Sequence, residues 1–290
     1  MNIGFMINDD SLIHHGILLS KSILKDNEVN LYILVPSTIN IKKIENSFND
    51  LRINVIVYDF LEELILFPFA DKVFAAAYAE SIVDGELLWI DVDSIFLKDT
   101  SLIELKRGKE LAFRPVDKKL IGNALDKKLS DFWKELYNYF DLEKSSFFVE
   151  TGIDKFKILP YFNAGFVLLK TGNNIFKMWK DAFLDLYNID QMKEFYNQDY
   201  LYKVFIHQAI LTCVILKNLE YEKLQLLSSN INFPIHLYDE YKKDCDADNL
   251  ICIRYDTYFN NPVKTQKFIL SKDIEELVDI EKLSMRWLYK

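Results

Sequence analysis

Short apolar runs alternate with stretches of helical spacing through the first hundred residues. Runs at 3–7, 31–35, 53–58 and 87–90 have strand length. Between them, Ile13, Ile17, Leu18 and residues 21–24, then 39–48, then 73–82 repeat their apolar positions with a period near 3.6, which predicts helices. The second half adds a strand at 164–169 and a helix carrying Phe176, Trp179, Phe183 and Leu186 at core spacing. A further helix runs from about 203 to 216, apolar on more than one side and expected to be buried. Alternating strand and helix predicts an α/β domain with a mainly parallel central sheet flanked by helices.

Sheets of this kind bind ligands beyond the carboxyl ends of their strands, where loops converge and helix N-termini present free N–H groups. Three polar clusters follow apolar runs: Asn8, Asp9 and Asp10 after the first, Asp59 after the third, and Asp91 to Asp93 after the fourth.

Composition narrows the picture. With 50% hydrophobic residues in a chain of 290, a large core is within reach; 8 Gly and 6 Pro leave no linker-like tract. The simplest division is one domain over 1–265 and a C-terminal helical segment over 266–290. The net charge of −9 argues against nucleic acid as a partner. Lys282, Arg286 and Lys290 beside Trp287 and Tyr289 allow at most weak peripheral membrane contact; a solvated helix face is the plainer reading. Cys213, Cys245 and Cys252 form no C-x-x-C pair and read as reduced thiols. MNIGFMINDD has no basic, then apolar, signal pattern, and Asp71 and Lys72 interrupt the longest apolar neighbourhood, so neither an export signal nor a membrane span is expected and the protein is expected in the cytoplasm.

LLWIDVD is the most informative string: a buried strand, then two carboxylates separated by one apolar residue. Strand alternation turns Asp91 and Asp93 to one side and Val92 to the other. Two hard oxygen donors at the open end of a sheet suit Mg²⁺ or Mn²⁺, whose shell water and phosphate oxygens complete, so a diphosphate is the natural partner. The plainer alternative has one aspartate capping the following turn and the other solvated.

Read together, WIDVDSIFLKD and YFNAGFVLLKTG (161–172) resemble glycosyltransferase family 8, whose members have the GT-A nucleotide-sugar fold. The order of FMINDD, D-x-D, FNAG, Gln208 and NINFP (230–234) fits as well. The resemblance implies that Asn8 and Asp10, with Ile7, hold the nucleotide base. It places a divalent metal on Asp91 and Asp93, with Asp91 and Val92 also at the donor. Asn163, Ala164 and Gly165 would border the donor sugar, Lys72 would reach the donor, and Gln208 would lie near the anomeric carbon.

Two positions depart from that pattern. His207 stands where the family has a carboxylate beside the glutamine, and His207 with Gln208 forms the expected catalytic pair. Arg254, in IRYDTYFNNP, stands where the family has a histidine as third metal ligand. Arginine cannot ligate a cation, but its planar fork matches phosphate oxygens, so Arg254 is expected to bind the diphosphate and to weaken metal dependence. Asp256 is the alternative ligand.

Other candidates have plainer readings. His14 and His15 read as surface or capping residues, His236 shows no evident partner, and Arg114 in Phe113–Pro115 reads as a surface ion near the acceptor cleft. The expected function is transfer of a hexose from a nucleoside-diphosphate sugar, by resemblance a UDP-sugar, to a glycan or glycoconjugate hydroxyl with retention. The alternatives are a phosphatase of the haloacid dehalogenase type, which also places D-x-D after a buried strand, and an inactive nucleotide-sugar or glycan-binding protein.

Overall fold

The computed structural model of the chain describes residues 1–25, 29–143, 147–241 and 247–260. The division at 265, the C-terminal segment with its basic residues, and Cys245 lie outside the described residues. The expected strands are present as β1 (Asn2–Met6), β2 (Asn30–Pro36), β3 (Ile53–Tyr58) and β4 (Glu86–Ile90). Further along come β5 (Ser94–Phe96), β6 (Leu111–Pro115), the two-residue strands β7 (Val149–Glu150) and β8 (Lys157–Ile158), and β9 (Phe162–Lys170). Three short strands follow: β10 (Leu224–Leu226), β11 (Phe233–Pro234) and β12 (Cys252–Arg254).

The main sheet has seven strands in the order β10-β6-β9-β4-β1-β2-β3. All its pairings are parallel except the two made by β9, which runs antiparallel to β4 and β6. Both faces of this sheet are buried, which is why its strands read as continuous apolar runs. Alternation is visible in the packing: Leu87 and Trp89 of β4 join one core cluster, Leu88 and Ile90 the other.

The helices divide between the faces. α1 (Ile13–Ile23) and the short α2 (Ile41–Glu45) contribute Ile13, Leu19, Ile23 and Ile44 to one cluster. On the other face lie α3 (Ala70–Ile82), α4 (Asp131–Tyr139), α5 (Ile175–Leu186), α6 (Asp190–Gln198) and α7 (Tyr200–Asn218), whose Trp133, Trp179 and Phe183 are fully or nearly fully buried. α8 (Tyr238–Tyr241) is a single turn.

α7 is the buried helix expected from about 203 to 216, longer at both ends. By length and composition it is, among the described residues, a helix long and apolar enough to cross a membrane. Here it is a core element: Val204, Ile206 and the run from Ala209 to Ile215 are buried against the sheet and neighbouring helices. Hydrogen bonds stitch it to β9, with Phe162 N–H donating to Thr212 Oγ1 at 3.0 Å and Ala164 N–H to Gln208 Oε1 at 3.0 Å.

A three-stranded sheet, β11-β12-β5, sits beside the end of β4 with its own apolar cluster of Ile95, Phe233, Ile253 and Tyr255. Its antiparallel β12–β5 pairing sets Arg254 opposite Ser94 and so brings the late chain to the acidic pair.

Candidate active site

β4 ends at Ile90, and the chain turns through Val92 and Asp93 before β5 begins at Ser94. The strand alternation expected to aim Asp91 and Asp93 therefore stops short of them. Tertiary hydrogen bonds aim them instead: Asp91 N–H donates to Gly165 O and Tyr255 N–H donates to Asp93 O, each at 2.9 Å.

Two adjoining cavities meet at this turn. The larger, about 700 Å³, is walled by Met6, Asn8, Leu12, Phe67, Trp89 and Val92; the smaller, about 210 Å³, reaches Asn163, Gly165, His207, Gln208, Arg254 and Asp256. Phe69, Lys72, Asp91 and Asp93 border both.

Lys72 Nζ lies 2.6 Å from Asp91 Oδ1 and 4.7 Å from the centre of the Phe69 ring. Phe69 precedes α3 with φ of 59°, a left-handed conformation that costs a non-glycine residue roughly 1–2 kcal/mol. That conformation places its ring against His207, centroids 4.7 Å apart.

Asp93 is buried, and its Oδ2 has no hydrogen-bond partner. Burial and the nearby Asp91 push its carboxyl up to about 7, against the pull of Arg254 and Lys72. Four carboxylates, Asp91, Asp93, Asp117 and Asp256, line the smaller cavity with three permanent cations, Lys72, Lys118 and Arg254. An orphaned carboxylate oxygen in an excess of negative charge fits a hard divalent cation at Asp91 and Asp93. Among the described residues no three His, Cys, Asp or Glu side chains gather at metal-ligand spacing. Among the described residues, Asp91 and Asp93 are thus a pair that could hold such an ion without a third His, Cys, Asp or Glu gathered beside them.

Arg254 borders this cavity, with Nη2 2.5 Å from Asp117 Oδ2. Its nearest anion is thus a protein carboxylate, a partner the sequence did not suggest. Asp256 falls in a turn after β12, at φ of 44°, rather than on a strand, and its Oδ2 faces His236 Nε2 at 3.7 Å.

Asn8 lines the larger cavity, where its Nδ2 donates to Asp71 Oδ2. Burial raises the Asp71 carboxyl, while Asn8, the Lys72 N–H and the Lys72 charge oppose the rise. Asp10 does not join them: it is exposed outside the cavity and paired with Lys43 at 2.6 Å. Ile7 is wholly buried in the core and Ala164 in the wall behind the cavity, so neither offers a side chain to it.

His207 and Gln208 sit in the middle of α7. Gln208 Oε1 is engaged by Ala164 N–H, and Asn163 Oδ1 by Gly165 N–H at 2.7 Å, so both amide oxygens belong to the wall. His207 is buried, its Nδ1 donating to Val204 O at 2.9 Å; burial first, then the charge of Lys72, holds its pKa well below the ordinary value. It is a neutral imidazole.

Two plainer readings change. His15 is buried, its Nδ1 2.7 Å from the Tyr255 hydroxyl, and burial lowers its pKa to about 4. Arg114 is buried inside β6 and donates to Leu227 O at 3.3 Å. The cavity wall after β6 is instead Val116, Asp117 and Lys118. Asp117 follows an apolar strand at its carboxyl end, the same signal that marked Asp91, and could have been found by it. Asp71 carried no such signal, because it opens a helix.

The sheet order, the single antiparallel strand in its middle and the acidic turn after β4 define a GT-A glycosyltransferase fold. Solved structures agree. An active-site mutant of LgtC matches with TM-score 0.55 and 15% identity over 97% of this chain and 95% of that one. The galactosyltransferase LgtC with donor and acceptor sugar analogues matches with TM-score 0.51 and 16% identity over 99% and 97%. GlyE of Streptococcus pneumoniae TIGR4 matches with TM-score 0.50 and 15% identity over 99% of this chain and 60% of that one. At such identities the likeness shows the fold and nothing finer. No curated protein matches the sequence. Residues 3–218 match the Rhodobacterales glycosyltransferase domain, and the chain belongs to that family. It is a glycosyltransferase, as the motifs imply.

Proposed function

We propose that the protein transfers a hexosyl group from a nucleoside-diphosphate sugar, a UDP-sugar, to a hydroxyl of a glycan or glycoconjugate. One observation carries this reading: Lys72, Asp91 and Asp93 stand on the wall shared by two cavities, one roomy and apolar enough for a nucleoside, the other edged by amides and charges. A diphosphate belongs at that junction, with the nucleoside on one side and the sugar on the other. LgtC, of the same fold, is a galactosyltransferase solved with donor and acceptor analogues, which favours a hexose and a glycan acceptor.

Asp91 and Asp93 are the residues that would hold Mn²⁺ or Mg²⁺, which when bound offsets charge on the leaving diphosphate. The chain's own groups do the rest. Lys72 and Arg254 add fixed positive charge beside the leaving group. Asn163, Gly165 and Gln208 shape the sugar pocket. Because the Gln208 amide oxygen is held by Ala164, Gln208 positions the sugar by its remaining Nε2 rather than by facing positive charge with oxygen. Retention of configuration, like kinship with family 8, rests on the motif resemblance. A cytoplasmic location rests on composition and on the buried, unpaired thiols of Cys213 and Cys252. The dehalogenase-type phosphatase gains no support from fold or family.

The test is a donor panel. Purified protein is incubated with UDP-, GDP-, CDP- and ADP-sugars and Mn²⁺, with and without mixed oligosaccharide acceptors, and nucleotide release is followed. Release from a UDP-hexose that acceptor accelerates supports the reading. Absence of release from every donor favours the inactive binding protein instead.

A further inference from the structure

In the larger cavity, Asn8, which the family resemblance places at the nucleobase, is a polar group among the apolar side chains of Met6, Leu12 and Val92. Its amide has two unlike ends, a donor NH₂ and an acceptor oxygen. Which end faces the cavity is decided by its neighbour. Asp71, in the first turn of α3, accepts on both carboxylate oxygens, Oδ2 from Asn8 Nδ2 and Oδ1 from the Lys72 N–H at 2.8 Å. The Tyr58 hydroxyl donates to the Asp71 backbone oxygen at 3.1 Å and holds this turn in place. An acceptor-only carboxylate takes the NH₂ end of Asn8, so the oxygen end is left for the ligand.

We propose that Asp71 is a positioning residue that sets base specificity through Asn8, so that the cavity takes nucleoside diphosphates whose base presents an imide N–H, uracil or guanine. Cytosine and adenine present a bare ring nitrogen at the corresponding edge, which would face the Asn8 oxygen with no proton between them. A site built to accept a hydrogen bond rejects a ligand lacking the donor, because its own buried polar group is left unpaired. This inference rests on the nucleotide-donor reading and adds to it the residue that makes the choice.

The test is calorimetric titration of the full chain with UDP, GDP, CDP and ADP, on wild type and on Asp71→Asn. The variant keeps the shape but can donate to Asn8, which frees the Asn8 amide to turn. Wild type is expected to bind UDP or GDP about 10- to 100-fold more tightly than CDP and ADP, and the two imide arms separate uracil from guanine. In Asp71→Asn that ratio should fall to within about threefold. If the variant weakens all four nucleotides in proportion, Asp71 is merely structural and the proposal is wrong. A wild-type preference for CDP or ADP also overturns it while leaving the donor reading intact. If no nucleotide binds wild type, both fall.

Should Asp71→Asn fail to fold, wild type alone decides with two UDP analogues. N3-methyl-UDP, which lacks the imide proton, should lose at least about tenfold in affinity; 5-methyl-UDP, which keeps it, should not. Equal binding of the two contradicts the proposal.

Discussion

Gly165 lies so close to Asp91 that a Cβ on it would stand 2.0 Å from Asp91 Oδ2 and 2.7 Å from Asp91 Cγ. No side chain larger than hydrogen fits there while Asp91 keeps its place, and Asp91 is held from the other side by Lys72 at 2.6 Å. Gly165→Ala should therefore displace the Asp91 carboxylate. Overpacking of this kind costs about 1–3 kcal/mol of stability. The expected outcome is a folded protein whose melting temperature drops by a few degrees and whose Mn²⁺-dependent nucleotide binding is lost, read by calorimetry beside a melting curve.

Lys72 pairs with Asp91 Oδ1, and on the proposed donor reading it would compete with a metal there and face the diphosphate. Lys72→Met should thus separate two affinities. Free Mn²⁺ should bind more tightly to the apo variant, since a competing positive charge is gone, while UDP without metal should bind about tenfold more weakly, as expected for a lost charge-assisted contact. Titrating each ligand alone distinguishes this from general damage, which would weaken both.

Much of this was legible in the sequence, and the reasons are specific. β4 and β9 are buried along nearly their whole length, so each carries an apolar run beside its motif, DVD following β4 and FNAG opening β9. The acidic pair was found because ligand sites follow such strands. The partners of that pair were not visible, because they depend on pairings between distant segments. Arg254 meets Asp117 only after β12 has aligned Arg254 with Ser94, and Asn8 meets Asp71 only after α3 has docked at the end of β1. The burial of His15 against Tyr255 has the same origin.

His207 is neutral, buried between the Phe69 and Trp179 rings, so its protonation cannot supply a limb of the activity profile near neutral pH. His207→Asn is expected to lower kcat through altered packing while leaving the shape of the pH profile unchanged. A limb present in wild type and missing in the variant would assign His207 a proton-transfer role after all.

Glu80 on α3 receives the Lys177 N–H at 2.9 Å at the start of α5, and its Oε1 is buried without a hydrogen-bond partner. Burial raises its carboxyl from 4.5 to about 7, against the pull of the backbone N–H groups of Lys177, Phe176 and Ile175. The folded state therefore holds a proton that the unfolded chain releases between those values. The stabilising difference is complete below 4.5 and is lost as pH rises through 7. Wild type should lose on the order of 1–3 kcal/mol across that window relative to Glu80→Gln, which does not titrate. Melting curves of both proteins at several pH values read the difference directly.

The central claim is that Asp91 and Asp93 hold a metal-assisted nucleotide donor. Its most direct test is calorimetric titration of UDP with and without Mn²⁺, on wild type and on the double variant Asp91→Asn with Asp93→Asn. Mn²⁺ is expected to tighten UDP binding to wild type, and the double variant, though folded, is expected to show no such tightening. Equal UDP affinity and equal metal response in both proteins would contradict it.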